Sequence, residues 1–210
     1  MKNIKVIIFD FGGVILNINY QNTIDSFRKL GVIKPENFYS KEMQFQIFNL
    51  LETGKITEKQ FLSELKLMTE NASVKEIKKA WVSMLLDLPK SRLETLKILK
   101  KKYRLFLLSN TNSIHINYIK NSLGDVKWES FCNLFEEIYL SHEIGIRKPN
   151  VEAFQFILKK QNLSSNEILF IDDSLQHIKG AKRLGIHSHH LRDGEDITTL
   201  FLDKAQSILH

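Results

Sequence analysis

The chain has 210 residues, 43% of them hydrophobic and 26% charged, the balance of a folded globular protein rather than a disordered one. Its 3 Pro and 9 Gly supply no linker-like stretch, and no repeat or low-complexity segment is present. The formal charge of +6, with an isoelectric point near 9.2, reads as lysines on solvated helix faces, so nucleic acid is not expected as a partner.

In chain order, the first element is the apolar run Ile4 to Phe9, which ends at Asp10. It reads as a buried parallel strand. It is too short for a signal peptide or a membrane span. Cys132 is the single cysteine and cannot form an internal disulfide, so a reducing, cytoplasmic setting is expected, with no membrane association.

From Asn17 to Leu88 the pattern becomes helical. Ile24, Phe27 and Leu30 share one face that stops at Gly31, and Met43 to Leu51 forms a second amphipathic stretch. Thr57-Glu58-Lys59-Gln60 and Ser73-Val74-Lys75-Glu76 are capping boxes that open two further helices. The aromatic residues here read as the core of a small bundle inserted after the first strand.

Strand and helix then alternate. Ser91-Arg92-Leu93-Glu94 is read as a third capping box. Leu105 to Leu108 runs into Ser109, Asn110, Thr111 and Asn112; Ile138 to Leu140 is a further strand; Ile168 to Ile171 runs into Asp172, Asp173 and Ser174; Ile186 to Leu191 is the last. Asn150 and Ser174 stand where helix caps belong, and Gly185 where a helix should stop. The expected fold is α/β: a doubly wound, mostly parallel, Rossmann-like sheet from residues 1–16 and 89–210, with a helical-bundle cap at 17–88.

In such sheets ligands bind beyond the carboxyl ends of the strands, where the polar clusters fall. Asp10, Asp172 and Asp173 are hard oxygen donors of the kind Mg²⁺ takes, and without a cation they would repel one another. Lys148, in Gly145-Ile146-Arg147-Lys148-Pro149, can set an ammonium against a phosphate and Asp10. Ser109 and Asn110 offer hydroxyl, amide and backbone N–H donors for phosphate oxygens. Asp10 is expected to be ionised near neutrality and so ready to attack phosphorus. His115 reads either as an acid–base group or as an ordinary exposed or capping histidine, the second preferred. His187, His189 and His190 read as a metal cluster or, preferably, a surface loop.

Phe9-Asp10-Phe11-Gly12-Gly13-Val14, Leu108-Ser109-Asn110-Thr111-Asn112, Arg147-Lys148-Pro149 and Ile171-Asp172-Asp173-Ser174 together resemble the four ordered motifs of the haloacid dehalogenase-like hydrolases. The helical insert sits where that family places its smaller cap. The resemblance implies a Mg²⁺-dependent phosphatase acting on a small phosphorylated metabolite, with a sugar phosphate favoured. It implies Asp10 as nucleophile forming an aspartyl-phosphate, with Ser109 and Lys148 on the phosphate. Mg²⁺ would be held by Asp10, the carbonyl of Gly12 and the acidic pair, Asp173 being the first choice for direct coordination. Family phosphatases usually carry a second Asp where this chain has Gly12; a subset resembling α-glucose-1-phosphate phosphatases also lacks it, and its stretch around Ser109 to His115 looks similar. The rival readings are a 2-haloacid dehalogenase, which the acidic pair disfavours, and a catalytically silent metabolite- or protein-binding module. Either a monomer or a homodimer fits.

Overall fold

The computed structural model describes residues 3–37 and 46–206, with side chains followed through residue 201. Five parallel strands form one sheet: β1 (Val6–Phe9), β2 (Arg104–Ser109), β3 (Glu137–Leu140), β4 (Ile168–Asp172) and β5 (His187–His190). Their spatial order is β3-β2-β1-β4-β5, so the chain winds to one side of β1 and then to the other. That reversal makes the end of β1 the switch point at which such sheets bind ligands.

The central strands β1, β2 and β4 are apolar at successive positions because both faces are covered. Ile7, Phe9, Leu105, Leu107, Leu169 and Ile171 face one core with Leu96, Leu99, Ile119, Phe131, Ile197 and Phe201. These partners lie on helices α5 (Lys90–Lys100), α6 (Ser113–Leu123), α7 (Asp125–Cys132) and α11 (Ile197–Gln206). The alternate residues Val6, Ile8, Phe106, Leu108, Ile168 and Phe170 face the opposite core. There they meet α9 (Val151–Gln161) and α10 (Leu175–Lys182), while the short α8 (Ser141–Ile144) follows β3. Among the described residues no helix is long and apolar enough to cross a membrane.

Between β1 and α5 lie α1 (Tyr20–Lys29), α2 (Gln46–Glu52), α3 (Glu58–Leu67) and α4 (Val74–Val82). Residues 43–45 of the expected second helix lie outside the described residues. Trp81 is fully buried at the centre of this bundle, with ring centroids 5.0 Å from Phe48 and 5.3 Å from Phe61. The aromatic residues are therefore core, as expected. Thr57 and Ser73 form both halves of their capping boxes. The reading of Ser91 as a cap is corrected: α5 starts at Lys90, behind Pro89 at φ −62°, because proline sets the backbone for helix entry one residue earlier. Asn150 and Ser174 occupy cap positions but make no capping side-chain bond.

Candidate active site

Register brings the motifs together. Phe9 pairs with Leu107 on one side and Ile171 on the other, so Asp10, Ser109 and Asp172 emerge at one sheet edge. The backbone N–H of Asp10 donates to the Ile171 carbonyl at 2.9 Å, which fixes where its side chain begins.

Lys148 is the hub. Its fully buried ammonium donates to Asp10 Oδ1 at 2.7 Å, Asp172 Oδ2 at 2.7 Å and the Leu108 carbonyl at 2.8 Å. All three of its donors are used, as burial of a charge demands. Burial would lower the Lys148 pKa, but the two carboxylates outweigh it and hold the value above the ordinary lysine range. The loop carrying Lys148 is bracketed by Asn110, whose amide donates to the Lys148 carbonyl at 2.8 Å and accepts from its N–H at 2.9 Å. The expectation for Asn110 changes accordingly: both ends of its carboxamide hold the Lys148 backbone rather than facing outward to a phosphate.

The two neighbouring aspartates divide. Asp172 is fully buried. Its oxygens accept from Lys148, from the Ser174 N–H at 2.7 Å and from His177 Nδ1 at 2.9 and 3.0 Å. Burial alone would raise its pKa, yet Lys148 and His177 pull it down to about 2. Asp173 lies against Gly13, where a Cβ would overlap its carboxylate and where φ is +80°. Only glycine serves both demands there. Asp10, Asp172 and His177 have ligand atoms within 4.8 Å of one another. The hydrogen bonds on Asp172 and the imidazole make that trio a polar network rather than a site for a hard cation.

Asp10 departs from expectation. Burial, then the charges of Asp172 and Asp173, push its pKa up to about 8 against the opposing pull of Lys148. At Asp10, burial and the neighbouring carboxylates thus outweigh the Lys148 ammonium, and a divalent cation would restore Asp10 to its ionised form.

The histidines also differ from expectation. His115 is neither exposed nor an acid at the site. It is buried, stacked on Trp81 at 4.7 Å with Nε2 at 3.3 Å from the Trp81 carbonyl, and burial lowers its pKa to about 4. His187 to His190 form the edge strand β5, within the Ile186 to Leu191 run expected as the last strand and not a surface loop, with His190 Nε2 at 3.1 Å from the Asp173 carbonyl. His177 was not singled out from sequence, because its tie to Asp172 crosses a strand, a turn and the start of a helix.

A model of the family described as haloacid dehalogenase-like hydrolase matches residues 4–185. The chain belongs to the haloacid dehalogenase-like hydrolases. A relative, the D-ribitol-5-phosphate phosphatase of Bacteroides thetaiotaomicron, is 31% identical over 194 residues, covering 92% of this chain and 94% of that protein. A HAD family enzyme from the same organism, solved as an aspartate-to-alanine variant with magnesium and inorganic phosphate, superposes with a TM-score of 0.85 at 34% identity, covering 94% of this chain and 98% of that one. A HAD-like family hydrolase from Porphyromonas gingivalis gives 0.80 at 28% identity, covering 99% and 98%.

Proposed function

We propose that the protein is a magnesium-dependent phosphatase that hydrolyses a small phosphorylated metabolite, with sugar or polyol phosphates favoured, through an aspartyl-phosphate on Asp10. The observation that carries this reading is the buried acidic cluster at the switch point: Lys148 bridges Asp10 and Asp172, while burial and the charges of Asp172 and Asp173 hold Asp10 near pKa 8. The similarity to a ribitol-phosphate phosphatase and to an enzyme that holds magnesium and phosphate supports it.

In this reading Asp10 and Asp173, with the carbonyl of Gly12, hold Mg²⁺. Asp172 is the weaker candidate because its oxygens already serve Lys148, His177 and Ser174. The cation, when bound, supplies the positive charge that ionises Asp10 and balances the phosphate. Lys148 grips Asp10 Oδ1 and thereby leaves Oδ2 to attack phosphorus as the ester P–O bond breaks. Ser109, 3% exposed at the end of β2, donates to a phosphate oxygen. Water then hydrolyses the aspartyl-phosphate and regenerates Asp10. We assign residues 1–16 and 89–210 to the core domain and 17–88 to the cap. The expected setting is the cytoplasm, as a monomer or homodimer. The dehalogenase reading has no site observation in its favour, and Pseudomonas syringae 2-haloacid dehalogenase, at 15% identity and a TM-score of 0.61, shares the fold alone.

A screen of phosphorylated metabolites with Mg²⁺ and with chelator tests this. Phosphate release from sugar or polyol phosphates, lost on chelation, is expected; metal-independent release would overturn the reading.

A further inference from the structure

His177, the third residue of α10, stands between two residues that hold Lys148 from opposite ends. Its Nδ1 lies 2.9 and 3.0 Å from the two oxygens of Asp172, which accepts from the Lys148 ammonium. Its Nε2 lies 3.5 Å from Nδ2 of Asn110, whose carboxamide brackets the Lys148 backbone. Lys148, Asn110, His177 and Asp172 therefore form a closed circuit. It leaves Lys148 through its peptide groups and returns through its ammonium.

The circuit also fixes where the protons sit. Asn110 Oδ1 accepts from the Lys148 N–H and Nδ2 donates to the Lys148 carbonyl, so the amide nitrogen is the atom that faces His177. An amide NH₂ only donates. Nε2 must then present its lone pair, and Nδ1 carries the hydrogen, aimed at Asp172. The opposite tautomer would set two donors against each other at Asn110 and a lone pair against a carboxylate at Asp172.

This placement matters because a lysine ammonium on its flexible four-carbon stem is placed by its acceptors. One of the three acceptors of Lys148 is Asp172 Oδ2. The Ser174 N–H holds only the other oxygen, Oδ1, whereas His177 straddles both and so sets the orientation of the whole carboxylate. Lys148 in turn grips Asp10 Oδ1. Hydrogen bonds joined in this way reinforce one another in a buried setting.

We propose that His177 is a positioning residue, which orients Asp172 and through it aims the Lys148 ammonium at Asp10. Its effect on turnover rests on the phosphatase reading; its tautomer and its hold on Lys148 do not.

Nitrogen-15 NMR of the wild type reads the circuit without turnover. The imidazole signal that disappears in His177→Asn should show a hydrogen on Nδ1 and none on Nε2. Asparagine keeps a donor where Nδ1 stood, whereas His177→Leu fills similar space without one. The buried Lys148 ammonium signal should therefore persist in His177→Asn and shift or broaden in His177→Leu. With Mg²⁺ and a phosphate ester, kcat should stay within about threefold of wild type in His177→Asn and fall about tenfold or more in His177→Leu, the size of one lost hydrogen bond to a charged group. KM should change less than kcat in both. His177→Phe, a ring without a donor, replaces the leucine variant if that protein proves unstable. A merely structural role predicts losses that follow the unfolding midpoint rather than the presence of a donor. A wild type that does not hydrolyse phosphate esters would count against the phosphatase reading alone, since the two NMR readings still decide the circuit. A hydrogen on Nε2, a folded donor-free variant with an unchanged Lys148 signal, or equal kcat losses in the two variants would overturn the proposal.

Discussion

At the residue scale Asp172 is committed to the protein's own groups. Asp172 is saturated by Lys148, His177 and the Ser174 N–H, so its substitution should damage the fold before it damages metal binding. Asp172→Asn is expected to lower stability by about 3–5 kcal/mol, because it leaves part of a buried charge network unmatched. Asp173→Asn should raise the Mg²⁺ concentration for half-maximal activity with little loss of stability. Metal titration together with denaturant unfolding separates the two, and the reverse pattern would exchange their roles. Gly12 carries a different consequence. A Cβ there would lie 3.3 Å from Ile18 Cδ1, so Ile18 crowds the place that a general acid would need. His115, committed to Trp81, does not supply one. The leaving oxygen should depart with little proton assistance, and such assistance typically contributes roughly 10²–10⁴-fold. The kcat/KM series should fall steeply as the leaving alcohol becomes less acidic, with sugar 1-phosphates and aryl phosphates ahead of primary alkyl phosphates. A flat series would mean that another group donates the proton.

At the element scale the joint between α4 and α6 is built from a neutral imidazole. The His115 pKa is depressed from 6.5 to about 4, so the folded state favours the uncharged ring. That stabilisation is complete above the unfolded value and is lost as pH falls through about 6.5 towards 4. It amounts to about 3 kcal/mol between pH 7 and pH 4. His115→Phe should remove this part of the acid destabilisation, as read from urea unfolding at the two pH values; an unchanged slope would contradict it. Elements also mark where the sequence was legible. Strands β1, β2 and β4 were readable because each is a short apolar run that stops at polar residues, and the Thr57 and Ser73 caps because their bonds span three residues. The start of α5 was misread because Pro89 acts through backbone geometry rather than through a side-chain bond. The Asn110 bracket, the His177 tie and the Arg147–Glu52 pair were not legible. Each joins groups from different parts of the chain, and no spacing rule encodes those meetings.

At the scale of the molecule, order β3-β2-β1-β4-β5 places Asp10 at the switch point. The central claim is that Asp10 is the nucleophile, and replacing its attacking oxygen tests it most directly. Asp10→Asn retains the side chain's size and can still accept from Lys148. With Mg²⁺ and the best phosphate ester of the screen, kcat should fall by about 10⁴-fold or more, as when other nucleophiles are removed, while circular dichroism and the unfolding midpoint show the fold intact. A folded Asp10→Asn protein that kept wild-type kcat would contradict the account.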